Sequence, residues 1–279
     1  MMCEFFVSSR YLLAKQKERF ISLTSLISIL GISVGVAALI VVIGVMNGFD
    51  QELESKVMGM NAHLVVITEE PAGMTTDEAA KLRQILKGYS GITAAADFIS
   101  GQAMISNGRQ TSGVLLKGIE PEQEKDVTDI VRYLKAGSLP SANGGIVIGS
   151  ELAKRFSLGI NDSASFLSLG AKGPVQRKIC GIFTSGMYEY DLNMVIAGIK
   201  TAQEILGAEN MISGLELKTA QPLEAHKIKK EVQKILGYRY WVRSWMDLNK
   251  NLFSALKLEK IVMFVILTLI VLVACFNIA

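Results

Sequence analysis

The sequence is poor in residues and motifs that carry catalysis. It has only two histidines, His63 and His226, in different predicted elements, and neither has a cysteine or carboxylate beside it at metal-ligand spacing. The H-E-x-x-H and C-x-x-C motifs are absent, and without G-x-x-x-x-G-K-[ST] the chain cannot bind ATP through a P-loop of its own. We interpret His63 as a polar residue at a strand edge. The sequence therefore predicts no metal, no cofactor and no catalytic site.

Charge and cysteine content argue against two further classes. The 29 basic residues are interspersed with 26 acidic ones, so the chain lacks the basic stripe of a nucleic-acid-binding protein. Cys3, Cys180 and Cys275 fall in three different predicted segments, and no disulfide is expected between them. An acidic run has the pattern of a solvated turn and helix start rather than an acid-base pair: Glu120, Glu122, Glu124 and Asp126.

Long apolar runs lie near both ends of the chain. From Ile21 to Met46 no Asp, Glu, Lys, Arg or His occurs. About 26 residues at 1.5 Å each give roughly 39 Å of helix, enough to cross the hydrocarbon core of a bilayer. A second uncharged run, Ile261 to Ala279, is also long enough to span and ends where the chain ends. These runs predict an integral membrane protein.

The positions of basic residues predict the orientation. A basic cluster precedes the first apolar run: Arg10, Lys15, Lys17 and Arg19. No convincing cleavage site follows the run, so it should stay as an anchor. The basic cluster places the N-terminus in the cytoplasm. The expected organisation is a cytoplasmic segment at 1–20, a transmembrane helix at 21–46, an external domain with helical stalks at 47–259, and a second transmembrane helix at 260–279.

Small residues in the first span favour close helix packing. Gly31 with Gly35, and Gly44 with Gly48, form two G-x-x-x-G pairs, a spacing that lets two helices approach closely. The alternative is that glycine is simply common in membrane helices. The helical pattern continues from Asp50 to Met58, which predicts that the first span extends outward as a stalk.

The segment between the two spans has the pattern of a mixed α+β domain. Asn107-Gly108 predicts a hairpin turn, and Asn143-Gly144-Gly145 a second turn. Strands are predicted where β-branched or alternating residues run between turn residues: His63 to Thr68, Ile92 to Ile99, Gln102 to Ser106, Gln110 to Lys117, Ile146 to Ile148, Ser163 to Leu169 and Gln176 to Phe183.

Helices in this domain are predicted from their capping residues. The first expected helix is opened by the capping box Thr75 to Glu78 and stopped by Gly88, with an apolar face of Ala79, Leu82, Ile85 and Leu86. The second is capped by Ser150 and ends at Phe156, and the third is bracketed by Pro222 and Gly237. The fourth is opened by Ser244 to Asp247. The last of these is expected to run without a break into the second span.

Three groups of motifs resemble the lipoprotein-releasing permeases LolC and LolE. The first group lies around the first span: Arg10-Tyr11-Leu12, Glu18 to Ser22, Gly31 to Ile40 and Val45 to Phe49. The second lies in the middle domain: Ile146 to Ala153, Gly181 to Phe183 and Gly186 to Asp191. The third lies at the entry to the second span: Ser244-Trp245, Asn251 to Lys260 and Phe276 to Ile278. Together these motifs cover essentially the whole chain.

The resemblance implies a subunit of a macrolide-exporter-type ABC transporter in the bacterial inner membrane. Such permeases have four spans and a mixed α+β periplasmic domain between the first two, so the chain is expected to be their N-terminal part, stopping within the second span. The resemblance further implies an ATPase subunit similar to LolD, a second permease subunit of the same or a different kind, a periplasmic carrier similar to LolA, and triacylated lipoproteins as cargo in membrane lipid.

The same resemblance assigns roles to particular residues. A protruding periplasmic hairpin recruits the carrier in the family, and the matching loop here is Lys172, Gly173, Pro174, Val175 and Gln176, for which the plainer interpretation is an ordinary hairpin turn. Contact with the acyl chains of the cargo is expected at apolar residues near the outer boundary of the membrane: Val42, Val45, Met46, Phe49, Phe253, Leu256 and Phe264. Plain contact with lipid or with another helix would also explain why these positions are apolar.

Two alternatives to lipoprotein release remain open at the level of the sequence. One is a permease of a related macrolide-exporter or cell-division transporter. The other is a membrane-anchored binding domain that transports nothing.

Overall fold

The computed structural model describes the backbone of residues 19–70, 73–141 and 144–278, with all their side chains except those of 19–25, 28, 274, 275, 277 and 278. The predictions for the cytoplasmic segment and its basic cluster, for Cys3 and Asn143, and for the side chain of Cys275 lie outside this part of the chain. The chain divides into two compact units: a helix-pair unit, Met1–Glu52 with Asn251–Ala279, and a central domain, Leu53–Lys250.

The helices and strands alternate irregularly along the described part of the chain. The helices are α1 (Arg19–Met60), α2 (Thr76–Lys87), α3 (Pro121–Val127), α4 (Ile130–Tyr133), α5 (Ser150–Phe156), α6 (Tyr188–Asn193), α7 (Ile199–Leu206), α8 (Ala225–Leu236), α9 (Trp245–Leu248) and α10 (Lys250–Ile278), with a 3₁₀ turn at Pro222–Glu224. The strands are β1 (Leu64–Thr68), β2 (Met74–Thr75), β3 (Ile92–Ser106), β4 (Thr111–Ile119), β5 (Leu134–Gly137), β6 (Gly145–Gly149), β7 (Ser163–Leu167), β8 (Val175–Phe183), β9 (Met194–Gly198), β10 (Met211–Ile212), β11 (Gly214–Thr219) and β12 (Tyr240–Ser244).

One large mixed sheet organises the central domain. Its strand order is β12-β1-β11-β3-β4-β9-β6-β8-β5, and β7 bridges β3 and β8 away from that path. Most neighbours are antiparallel, but β4 pairs in parallel with β9 and β6 in parallel with β8. β2 and β10 form a separate small pair. The expectation of a mixed α+β domain is therefore confirmed.

The main hydrophobic core lies where α5 and α7 pack on the sheet. It is built around side chains with no exposed surface in β3, β4, β6 and β7, including Ile105, Leu116, Ile148 and Phe166. The strand predicted at Ile146 to Ile148 is confirmed as a fully buried one. Because burial of such side chains is the main favourable contribution to folding, these strands hold the rest of the domain in place.

Most local predictions are confirmed. Asn107 and Gly108 turn the β3–β4 hairpin, where the Asn107 side chain accepts hydrogen bonds from the backbone N–H of Arg109 and Gln110, and β7 pairs with β8 as expected. Thr75 caps α2, Gly237 ends α8, and Ser244 with Asp247 forms a reciprocal capping box. The first helix runs to Met60, which confirms the helical extension at Asp50 to Met58.

Four local predictions are wrong in detail. The two strands expected at Ile92 to Ile99 and Gln102 to Ser106 are one continuous strand, β3, whose first half pairs with β11 and whose second half pairs with β4. The cap of α5 is Gly149, not Ser150, which is already helical. Ile85 is exposed, since only one side of α2 meets the sheet. The last helix is interrupted at Asn249, which separates α9 from α10.

Gly149 shows why two of the sequence motifs occur together. A methyl group on its Cα would overlap the backbone carbonyl of Asp191. Asp191 is itself buried, and its carboxylate accepts hydrogen bonds from the backbone N–H and hydroxyl of Ser185 and from the backbone N–H of Gly186. The segments 146–153 and 186–191 are therefore packed against each other through backbone.

We predict that Gly149→Ala destabilises the domain by about 1 to 3 kcal/mol, because a backbone carbonyl cannot swing aside as a flexible side chain can. The matched control is Gly113→Ala in β4, where the added methyl group meets nothing within 4 Å. Thermal unfolding of the purified protein in detergent measures both, and equal midpoints for the two variants would contradict the packing argument.

Candidate functional site

The loop between β7 and β8, residues 168–174, is the most exposed part of its hairpin. The strands pair from Ser163 with Lys178 to Phe166 with Val175, and the chain then leaves the sheet. Lys172 has a side chain that is 94% exposed. Of the residues matched to the carrier-recruiting hairpin, Lys172, Gly173 and Pro174 lie in this loop, while Val175 and Gln176 begin β8.

The base of the β7–β8 loop is braced against the end of α7. The Ser168 hydroxyl donates to the carbonyl of Ile205 at 2.8 Å, and the backbones at Gly170 and Gly207 touch so closely that a methyl group on either would overlap the other segment. Arg177, at the start of β8, pairs with Glu204 of α7. The loop is thus a projection with a fixed base.

A cleft of about 490 Å³ separates the loop from the end of α7. Its walls are mixed, with glycines, Pro174 and Val175 beside charged and polar residues that include Lys172, Lys200, Gln203, Glu204, Glu209 and Asn210. Lys172 reaches across it to Glu209, with 3.4 Å between Nζ and Oε1. Both side chains are largely exposed, so this pair contributes little to stability and leaves the loop tip open to a partner.

The C-terminal end of α1, residues 53–60, belongs to the central domain. Met60 is 2% exposed and packs in a cluster with Ile119, Ile130 and Phe183. The carbonyl of Gly59 accepts a hydrogen bond from the backbone N–H of Asp129 at 2.9 Å. We call this segment the stalk end. Because buried side chains and backbone both hold it, a movement of the stalk end must move the sheet with it.

The chain enters and leaves the central domain at neighbouring positions. The stalk end leads into β1 and the exit runs through β12, and these strands pair with Leu64 opposite Ser244. Trp245 has no exposed surface and donates its indole N–H to the carbonyl of Pro222 at 3.0 Å. Both connections are therefore held by one strand pair.

His63 belongs to this junction and lies directly before β1, at the edge of the strand as interpreted from the sequence. The side chain is buried, and Nδ1 accepts a hydrogen bond from the backbone N–H of Thr219 at 3.0 Å, while its carbonyl accepts one from Trp245. Burial lowers the pKa of His63. The imidazole joins the start of β1 to β11, and the backbone carbonyl of His63 joins it to the start of α9. Among the residues that the structure describes, no cluster of three His, Cys, Asp or Glu side chains could hold a metal.

Sequence reasoning missed three residues at the centre of the domain. Lys117 in β4 is buried and contacts two carboxylates, Glu124 Oε1 at 3.0 Å and Glu216 Oε1 at 2.8 Å. Glu124 has no exposed surface, so its prediction as a solvated residue is wrong: α3 folds back on the sheet and turns this one member of the acidic run inward. Val127, one helical turn after Glu124, is also buried. This helical spacing of inward-facing positions is the sequence signal that could have identified Glu124 as buried.

The buried triad holds one positive charge and two carboxyl groups. Burial alone would lower the pKa of Lys117, but the carboxylates of Glu124 and Glu216 raise it. Burial, followed by the adjacent Glu124 carboxylate, raises the pKa of Glu216 to about 8. The Oε2 atoms of both glutamates are buried without a hydrogen-bond partner. With Glu216 protonated, the triad carries one positive and one negative charge near pH 7.

We predict that the free energy of unfolding falls as the pH rises from about 4.5, the ordinary pKa of Glu216, towards about 8, its pKa in the folded domain. In this window the folded state keeps a proton that the unfolded state has lost, so the slope is negative and at most about 1.4 kcal/mol per pH unit. Glu216→Gln should flatten it, since the amide replaces the protonated carboxyl group.

The pH profile is measured as the midpoint of thermal unfolding between pH 5 and pH 8. The control is Glu122→Gln, which removes a carboxylate that is 81% exposed in the same acidic run and should leave the slope unchanged. A Glu216→Gln variant with the slope of the unmodified protein would show that the triad does not hold the proton.

For the stalk end, we predict that Met60→Ala lowers the stability of the central domain by about 2 to 5 kcal/mol, because the cluster around it is closed and leaves a cavity. Met104→Ala is the matched control, since Met104 is 50% exposed in β3. Thermal unfolding compares the two, and a Met60→Ala midpoint as high as that of Met104→Ala would mean that the stalk end is not held by its buried side chain.

In the helix-pair unit, α1 and α10 face each other. Of the four glycines expected at a packing interface, Gly35 lies opposite Ile270, whose Cγ2 would sit 3.9 Å from an added methyl group. Gly31, Gly44 and Gly48 face open space, so they remain available for another helix. Their role in helix packing stays a prediction.

The residues expected to contact acyl chains differ in their exposure. Four are exposed: Val42, Val45, Phe49 and Phe264. Met46 and Phe253 are half-buried and Leu256 is buried. Only Met46 and Phe264 among them line a common pocket, at the end of the helix pair near Asp50. Their role as acyl-chain contacts stays a prediction.

Among the described residues, one helix, Ile29–Met60, is apolar and long enough to cross a membrane. The most apolar stretch of this helix has no buried residues. The boundaries of both expected spans, 21–46 and 260–279, stay predictions.

The chain matches known proteins along almost its whole length. A family model for the MacB-like periplasmic core domain matches residues 25–235. The lipoprotein-releasing system transmembrane protein LolC of Neisseria meningitidis is 31% identical over 98% of this chain and 68% of its own. LolC of Xylella fastidiosa is 31% identical over 97% of this chain and 67% of its own, and LolE of Haemophilus influenzae 27% identical over 98% and 68%.

Among solved structures, the periplasmic region of MacB from Actinobacillus actinomycetemcomitans has a TM-score of 0.48 to this chain at 14% identity, covering 70% of this chain and 94% of that one. The curated relatives extend further, since this chain spans about two thirds of their length. With the family model covering most of the chain and the two LolC relatives at 31% identity, the chain belongs to the family of lipoprotein-releasing system transmembrane proteins LolC and LolE, with a MacB-like periplasmic core domain.

Proposed function

We propose that this chain is the non-catalytic permease subunit of an ABC transporter that releases lipoproteins from the bacterial inner membrane to a periplasmic carrier. The observation that carries the proposal is the 31% identity to LolC over nearly the whole chain. ATP is hydrolysed by a separate subunit similar to LolD, and a second permease subunit, identical or different, completes the pair.

In this proposal the protein is a multi-pass membrane protein with its N-terminus in the cytoplasm. α1 and α10 each cross the membrane, at about 21–46 and 260–279, and the central domain lies in the periplasm. Large apolar side chains are exposed along both helices, among them Val34, Ile40, Val265 and Leu269. Exposed apolar surface of this extent is costly in water and favourable in lipid, which supports membrane insertion of both.

The cargo explains why such a protein uses ATP and a closed route. Burial of an acyl chain contributes about 0.8 kcal/mol per CH₂, so extracting three long chains into water would cost tens of kcal/mol. A carrier that receives the chains directly avoids most of that cost. The permease therefore has to bring a carrier to its outer face and couple that event to the membrane helices.

Two features of the central domain support these tasks. The β7–β8 loop, with Lys172 and Pro174 at its exposed tip and a braced base, is the proposed docking element for a carrier similar to LolA. The stalk end is held by the buried Met60 and by paired strands β1 and β12, which suits transmission of force between stalk and domain. Of the proposed acyl-chain contacts, Val45, Phe49 and Phe264 are the most exposed.

We predict that a photo-reactive amino acid at Lys172 or at Gln176 crosslinks the carrier when the protein is expressed in the cell. Both side chains are exposed, and a rigid projection gives a partner a defined surface. The control site is Lys81, which is exposed on α2. Covalent adducts are identified by mass spectrometry. Adducts at neither loop position, or equal yields at Lys81, would contradict carrier docking at this loop.

Depletion of the protein tests the cargo. Lipoproteins should accumulate in the inner membrane if the proposal is correct. Normal lipoprotein sorting together with a defect in drug export or cell division would favour a related exporter or cell-division permease. Failure to copurify with any ATPase subunit would favour an anchored binding domain that transports nothing.

A further inference from the structure

The short helix α3 and the residues after it connect the stalk end to the sheet. The backbone N–H of Asp129 donates to the carbonyl of Gly59 at 2.9 Å. The hydroxyl of the preceding residue, Thr128, donates to Glu124 Oε1 at 2.8 Å, and this oxygen also accepts from the Lys117 ammonium at 3.0 Å. A run of hydrogen bonds therefore leads from the stalk end, past α3, to the buried triad.

The start of α3 has a separate attachment. Gln123 Oε1 accepts hydrogen bonds from the Arg83 guanidinium at 2.9 Å and from the backbone N–H of Asp97 at 3.1 Å. Asp97 follows Ala96, which lies opposite Glu216, so the Asp97 side chain is on the other face of the sheet. The start of α3 is thus held by contacts outside the triad, and its end can move about this point as a hinge.

The protonation of Glu216 decides the balance of charge at the end of α3. Its Oε1 is 2.8 Å from the Lys117 ammonium, and the three side chains of the triad are at most 8% exposed. When Glu216 is protonated, one ammonium faces one carboxylate. When it is ionised, two carboxylates face one ammonium in a closed site, where repulsion between like charges is much stronger than in water.

Among the described residues, the charged groups that face Glu216 are the other two members of the triad. β1 and β3 flank β11 and place Val65 and Ala96 opposite Glu216, and neither of these carries a charge. Lys117 comes from β4 and Glu124 from α3. The charge of Glu216 therefore acts first on α3 and β4.

Two other ionisable groups lie near α3. Burial lowers the pKa of His63, whose charged neighbours are Lys218 and Asp129, so its imidazole is largely neutral above pH 7. Burial raises the pKa of Asp97, which pairs with Arg83 on the other face of the sheet. The contribution of Asp97 can be separated from that of Glu216 by substitution.

α3 is the member of the triad that is free to move. β4 and β11 each have hydrogen-bonded strands on both sides, so neither can leave the sheet alone. α3 is seven residues long and is attached through side chains. Repulsion within the triad is therefore relieved most easily by movement of the end of α3, which carries Thr128 and Asp129 with it.

We propose that the buried triad is a pH-sensitive latch: with Glu216 protonated it holds the end of α3 on the sheet and the stalk end against the domain, and loss of the proton releases both. The latch requires only α3, the triad and the stalk end, so it stands whether or not the chain releases lipoproteins. In a permease it would weaken the transmission of force from the stalk at alkaline pH.

The direction of the pH effect follows from where the proton is held. In the closed form the pKa of Glu216 is about 8, and in an open form that exposes it to water the pKa returns towards its ordinary 4.5. Opening therefore releases a proton. The equilibrium constant for opening rises by at most about tenfold per pH unit across this window and levels off above about pH 8.

Hydrogen exchange followed by mass spectrometry, on the purified protein in detergent between pH 5 and pH 9, tests the latch. Protection factors remove the ordinary pH dependence of exchange, because each rate is divided by that of an unstructured peptide at the same pH. We expect the protection of segments 57–62 and 124–130 to fall by about tenfold per pH unit between pH 6 and pH 8. Both should be less protected than β6, whose buried backbone exchanges only on global unfolding.

Three variants assign the proton. Glu216→Gln should make the protection of the two segments independent of pH, since the amide stays neutral. Glu122→Gln, in the exposed part of the same helix, should keep the slope of the unmodified protein. Asp97→Asn should also keep it, because this carboxyl group lies on the other face of the sheet.

Four results would overturn the latch. The first is protection that does not change with pH in the unmodified protein. The second is a slope that persists in Glu216→Gln, and the third is a slope lost in Asp97→Asn alone. The fourth is protection of the two segments equal to that of β6 at every pH, since they would then open only with the whole domain. If Glu216→Gln does not fold, the comparison with β6 and the slope in Asp97→Asn still decide the question.

Discussion

The burial of the stalk end in the central domain is the constraint on which the rest of the structure depends. Val57 and Met60 lie at the end of a helix whose earlier part is apolar and exposed, yet both are almost fully buried in the domain. Gly59 allows this, because its missing side chain lets the Tyr133 ring approach the helix backbone. One helix therefore belongs to two environments, and the change between them takes place within a few turns.

The sheet continues this connection. β1 follows the stalk end directly and lies between β11 and β12, so the entry point, the exit point and a central strand are hydrogen-bonded neighbours. His63 and Trp245 fill the junction, and the buried triad of Lys117, Glu124 and Glu216 ties β4, α3 and β11 together further along the same sheet. A permease that transmits force from membrane helices needs such a rigid body, because a soft domain would absorb the movement.

The helix-pair unit combines opposite requirements in a different way. Its exposed apolar side chains suit lipid, while the Asp50–Lys260 pair places charge at one end of the pair. Charged residues near the ends of spanning helices reach the headgroup region with little cost, and long lysine side chains do so most readily.

The sequence by itself determined the local structure and the family. Apolar run length gives a helix long enough to span, turn and capping residues such as Asn107, Thr75 and Ser244 act on their own neighbours, and the motifs at 31–40, 146–153 and 186–191 carry the likeness to LolC and LolE. Only the tertiary structure decided which polar residues are buried. Glu124 and Glu122 have the same chemistry and lie two residues apart, but only Glu124 turns toward Lys117 and Glu216, residues that come from strands far apart in the chain. Burial depends on what packs over a residue. The period of α3 indicates that Glu124 faces inward, but its partner Glu216 comes from a distant segment and leaves no local signal in the sequence.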